Sequence, residues 1–151
     1  MKNYYVPLLI AFVLASNIFP QHINVRVDAA NSNQPEEVSI AINPITPNNI
    51  AAAANINHFF RSSDGGLTWQ TSFLSSSFGV WGDPSVIYDE LGNLYFGHLS
   101  NPPFPGYWID RIVVQRSTDN GLNWNDGAGV GFLSSKNQDK EWLGVDMHSP
   151  L

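Results

Sequence analysis

Ser62-Ser63-Asp64-Gly65-Gly66-Leu67-Thr68-Trp69 recurs as Ser117-Thr118-Asp119-Asn120-Gly121-Leu122-Asn123-Trp124. Serine, aspartate, glycine, leucine and tryptophan hold the same register in both copies. Each residue type suits a tight turn between two strands. The carboxylates of Asp64 and Asp119 can fold back onto backbone N–H groups of the turn. Gly65-Gly66 and Asn120-Gly121 tolerate positive φ. Ser62 and Ser117 add a hydroxyl, and Trp69 and Trp124 can bury a large apolar face over the turn. A self-capping hairpin thus accounts for every position. The rival reading, that the two aspartates are catalytic, explains fewer of them.

The repeat extends upstream of the motif. Val38-Ser39-Ile40-Ala41-Ile42-Asn43 precedes the first copy and Pro84-Ser85-Val86-Ile87-Tyr88-Asp89 the second. Glu141-Trp142-Leu143-Gly144-Val145-Asp146 is a third version of the same run. Aligning Asn43, Asp89 and Asp146 gives steps of 46 and 57 residues and places Glu37, Asp83 and Lys140 at equivalent positions. Apolar runs with β-branched residues, separated by turn residues, predict four strands in each of two units. In the first they are 38–42, 50–56, 58–62 and 69–73. In the second they are 84–88, 94–99, 111–117 and a weak strand near 124–132. Ala51-Ala52-Ala53-Ala54 has the propensity of a helical turn, but its place between strand signals favours a buried small-residue strand. Four short strands every 40–50 residues or so predict an all-β fold of propeller blades.

The chain has 151 residues, 43% hydrophobic and 13% charged, which suits a packed core. Its net charge of −6 and lack of any basic run exclude a nucleic-acid footprint. There is no cysteine, so disulfides, thiolate metal sites and cysteine nucleophiles are excluded. His22, His58, His98 and His148 have no metal-ligand spacing, and neither a metal nor a cofactor is expected. Lys2 followed by the apolar run Tyr4 to Phe19 predicts a secretory signal peptide over residues 1–21, with cleavage between about Ala15 and Gln21. An uncleaved anchor helix is the alternative, although the uninterrupted run is short for a span of about 20 residues. The expectation is a secreted, cell-surface or periplasmic protein with no stable membrane span after cleavage. The lack of cysteine fits bacterial export without disulfides. Residues 22–35 then form an extended segment, 36–80 and 81–137 two blades, and 138–151 the truncated start of the next.

Ser62, Asp64, Gly66, Thr68 and Trp69, with Ser117, Asp119, Gly121 and Trp124, resemble the Asp-box, or BNR repeat, of the sialidase (neuraminidase)-like β-propellers. Asn123 departs from the pattern where Thr68 follows it. Trp81-Gly82-Asp83-Pro84-Ser85-Val86 and Gly92-Asn93-Leu94-Tyr95 are also similar to secreted bacterial members. The resemblance covers Glu36 onward. It implies a six-bladed ring in which Asp-boxes are structural and lie away from the active site. About two blades and the first strand of a third are present, so the expectation is an N-terminal fragment whose remaining blades, or a partner, cover an open edge.

The resemblance also implies where ligands bind: the face where first strands begin and second strands join third. On this chain that face holds Glu36-Glu37, Gly82-Asp83, Asp139-Lys140 and the insertion carrying Phe104, Tyr107 and Trp108. Glu37 and Asp83 are candidates for acid–base work or cation binding, or they are strand-start hydrogen-bonding residues. Phe104, Tyr107 and Trp108 are candidates for a sugar platform, or they pack against a neighbouring blade. A sialidase needs three arginines on the substrate carboxylate, a Tyr–Glu nucleophile and an acidic Asp. Arg26 and Arg111 are the candidates for that clamp; Arg61 and Arg116 flank the Asp-boxes as structural residues. The family therefore implies a parent that is an exo-α-sialidase-like glycoside hydrolase, with this chain alone incomplete. The alternative is a non-catalytic propeller that binds a glycan or a protein at the cell surface. A scaffold acting only through an open blade edge is the third.

Overall fold

A computed structural model describes residues 24–29, 35–103, 108–132 and 136–148. The expected signal peptide lies outside the described residues, as do Phe104 and Tyr107. Among the described residues there are eight strands and no helix, hence none long and apolar enough to cross a membrane. They form two antiparallel four-stranded meanders. Sheet one runs β1 (Ser39–Ile42), β2 (Ile50–Ala54), β3 (His58–Ser62), β4 (Gln70–Phe73). Sheet two runs β5 (Ser85–Tyr88), β6 (Leu94–Leu99), β7 (Ile112–Ser117), β8 (Ala128–Val130). Each strand falls within the range its apolar pattern predicts.

The alanine run is the strand β2, and all four of its alanines are buried. Their small side chains leave room on both faces. Ala51 and Ala53 join Phe59 in the core shared with sheet two. Ala52 and Ala54 join Phe60, against which Val27 and Trp69 pack. This period-2 division is what a strand, and not a helical turn, produces. Across the interface sheet two offers Val86, Tyr88, Leu94 and Phe96. Trp124 stands edge-on to both Phe59 (5.1 Å) and Phe96 (6.0 Å) and ties the sheets together.

Polar bonds repeat the same relation. Val86 N–H donates to Ser39 Oγ at 3.0 Å, joining β5 to β1. Leu143 N–H donates to Ser85 Oγ at 3.1 Å, joining residues 140–146 to β5 in the same way. Leu143 also lies against Gly97 of β6. Residues 141–146 pair in no ladder among the described residues, so they form no strand where the repeat predicts one. Asn43 and Asp89 each cap the turn after their strand by accepting backbone N–H bonds, and Asp146 accepts one from His148. Ser39→Ala should leave the Val86 N–H without its partner between the sheets. We expect a loss of about 1–2 kcal/mol in urea unfolding; a midpoint unchanged from the parent chain would show that the bond contributes nothing.

Candidate functional site

The Asp-box aspartates are consumed by their own turns. Asp64 Oδ1 accepts from Ser62 Oγ (2.8 Å) and Thr68 N–H (2.9 Å), and Oδ2 accepts from Thr68 Oγ1 (2.6 Å). Asp119 Oδ1 accepts from Ser117 Oγ (2.8 Å), Leu122 N–H (3.1 Å) and Asn123 N–H (2.8 Å). Asn123 Nδ2 donates to Asp119 Oδ2 at 2.7 Å, so asparagine supplies the bond that threonine makes in the first copy. Ser62 and Ser117 hydroxyls accept from Gly66 and Gly121 N–H. These donors favour the ionised form and hold both carboxyls down at about 2; Thr68 leads at Asp64 and the Asn123 backbone at Asp119. The tryptophans differ. Trp69 Nε1 donates to Gly66 O at 2.9 Å, whereas Trp124 Nε1 has no partner and its ring serves the sheet interface.

A depressed carboxyl pKa contributes stability that is present above the unfolded value of 3.8 and is lost as pH falls through the folded one. Acid unfolding should therefore steepen between about pH 4 and pH 2. Asp64→Asn with Asp119→Asn should flatten that limb in a circular-dichroism titration. An identical acid limb in the double variant would assign the loss to other carboxyls.

A second constellation lies between the starts of the repeated first strands. Residues 37–41, 84–87 and 140–143 line one open groove of about 500 Å³. Glu37, Asp83 and Lys140, which hold equivalent positions in the repeat, lie near one another. Lys140 Nζ stands 3.9 Å from Asp83 Oδ2, and the neighbouring Asp83 carboxyl, followed by burial, raises the pKa of Glu37. Asn55 Nδ2 reaches Glu37 Oε2 at 3.4 Å. Glu37 and Asp83 share a left-handed backbone, with φ of 51° and 50°. For a non-glycine residue that conformation costs about 1 kcal/mol.

Glu141 was missed by sequence reasoning and is the most perturbed acid of the groove. It is 4% exposed, and neither carboxyl oxygen has a hydrogen-bond partner among the described residues. Burial pushes it up to about 8, against the opposing effect of its own backbone N–H and of Lys140, and the charges of Asp83 and Glu37 add to the rise. A signal for it does exist. The repeat places Glu141 on Val38 and Pro84, so a carboxyl stands where the other copies are apolar.

The remaining candidates among the described residues do not line this groove. Arg26 is exposed and bidentate to Asp28 at 2.8 and 2.9 Å. Arg111 is bidentate to Asp110 at 2.8 and 2.7 Å, with its guanidinium over the Phe78 and Phe132 rings. Arg61 bonds Gln70, and Arg116 lies over Tyr95. Trp108 is half exposed and edge-on to Trp81 at 6.0 Å. Among the described residues no three histidine or carboxylate side chains are grouped so as to hold a metal ion. No protein-family model matches the chain, and no curated protein matches it.

Proposed function

We propose that this chain is part of a secreted β-propeller of the sialidase-like Asp-box type, and that it binds glycan at the groove between its first strands. One observation carries the reading: three copies of the same strand start lie side by side around one groove, linked by the repeated serine bonds. Inner strands around a propeller channel have this arrangement. Further blades have a surface to cover. Val38, Ile40 and Ile42 are 77%, 65% and 59% exposed, whereas their counterparts Pro84, Val86 and Tyr88 are buried against sheet one. Binding is favoured over sialic-acid hydrolysis because Arg26 and Arg111 are each neutralised by an adjacent aspartate. A substrate carboxylate gains little from an arginine so engaged.

The second reading, an exo-α-sialidase-like glycoside hydrolase as the parent, is favoured by one feature. Glu141 stays protonated at neutral pH beside other carboxyls, and such a division is how acid and base roles are set. A glycan array and a fluorogenic sialoside separate the two. Retention on neutral or amino glycans without sialic-acid release supports the binding module. Release above the uncatalysed rate overturns it in favour of the hydrolase.

A further inference from the structure

We infer that the groove between the first strands is a site for an organic ammonium group, seated between Glu141 and Glu37. The inference rests on the glycan-binding reading in one respect only, that the ammonium is carried by an amino sugar.

The fold does not require the Glu141 carboxyl. Its counterparts Val38 and Pro84 occupy the same strand position without a polar side chain. Yet Glu141 is buried and both oxygens lack a partner among the described residues, an arrangement that destabilises a fold unless a ligand completes it. The groups acting on it and on Glu37 are Glu36, Asp83 and Lys140. Lys140 is the single cation among them. It stands by Asp83 with its side chain 59% exposed and leaves the Glu141 oxygens unsatisfied. What is missing is a positive group with several N–H donors. A metal ion fits poorly, since no three ligands are grouped for one among the described residues. An ammonium has three donors on one atom and suits two separate carboxyls.

Binding then has a protonic signature. The free site holds a proton on Glu141 near pH 7; an ammonium beside it favours the carboxylate, and that proton leaves to solvent. Calorimetry of the whole chain with a glucosamine tetramer at about pH 6, where the sugar amines are already ammonium groups and Glu141 still holds its proton, in two buffers of different ionisation enthalpy, should show release of about one proton per ligand. The N-acetylated tetramer, which carries no charge, should bind at least about tenfold more weakly. Glu141→Gln keeps size and polarity and should abolish the proton release and weaken the glucosamine tetramer by about tenfold; Glu37→Gln should weaken it without abolishing the release. Thermal melting confirms that both variants are folded. A tetralysine peptide tests the alternative source of the same group. If tetralysine binds with proton release and the sugar does not, the ammonium site stands and the glycan reading fails. If the N-acetylated tetramer binds as well as the amine form, the glycan reading stands and the ammonium site is wrong. No binding of any amine probe, or an unaffected Glu141→Gln, also overturns it.

Discussion

Gly121→Ala should destabilise the chain by about 3 kcal/mol, and Gly66→Ala, the same substitution in the other Asp-box, by about 1 kcal/mol. Both glycines have positive φ, +80° and +89°, so an alanine at either is strained by about 1 kcal/mol. Space separates them. A Cβ on Gly66 would meet Ile50 and Trp69 at 3.6 and 3.7 Å, ordinary contact. A Cβ on Gly121 would sit 2.4 Å from two ring atoms of Phe59. That ring is fully buried and stands edge-on to Trp124, so it cannot turn aside without breaking the packing between the sheets. Forcing it costs roughly 1–3 kcal/mol beyond the backbone strain. Urea unfolding of the two variants gives the comparison directly. Phe59→Leu combined with Gly121→Ala should recover part of the loss, because the smaller side chain vacates the clash; strict additivity would show that Phe59 is not the obstacle. Equal costs at Gly66 and Gly121 would sink the argument altogether.

The contrast shows what a local reading can and cannot reach. The strands were legible because each apolar run is short, β-branched and bounded by Asn, Asp, Gly or Pro, and those residues act locally. The Asp-box bonds were legible for the same reason: donor and acceptor lie within four residues of each other. Which Asp-box faces a neighbouring sheet is a long-range fact. Gly66 and Gly121 look alike in sequence and differ because Phe59 meets one of them. The groove divides in the same way. Repeat arithmetic puts Glu37, Asp83 and Lys140 at equivalent positions, and the family resemblance implies that those positions share one face. Glu141 opens the third copy of the strand run at the position of Val38 and Pro84, and its burial shows that the carboxyl there is not simply solvated. Arg26 and Arg111 were plausible clamp residues because sequence does not show that Asp28 and Asp110 bind them first.

Glu141→Gln should make the chain more stable at pH 8.5 by about 2 kcal/mol and leave it unchanged near pH 4.5. The sign follows from the raised pKa. The ordinary value of 4.5 holds in the unfolded chain, and the folded value is about 8. Below 4.5 both states keep the proton and the carboxyl is neutral in each. Between 4.5 and 8 the folded state binds a proton that the unfolded state has released, so stability falls as pH rises. Above 8 the charged carboxyl is buried in the folded chain and the whole penalty is present. Fully expressed, a shift of that size exceeds about 2 kcal/mol; relaxation of the surroundings around a buried charge reduces it. Glutamine has the same shape and never ionises, so the difference between variant and parent isolates this one group from the Asp64 and Asp119 transitions at lower pH. Urea midpoints for the pair, followed from pH 4.5 to 8.5, should diverge steadily. Parallel curves would mean that Glu141 ionises freely in the folded chain and that the burial does not penalise its charge. Divergence would mean that the chain keeps, at a position where its own repeats use valine and proline, a carboxyl that destabilises the ligand-free fold at neutral pH. A bound cation would offset that penalty, so the same titration repeated with tetralysine, whose side-chain amines stay charged to pH 8.5, should narrow the gap between parent and variant.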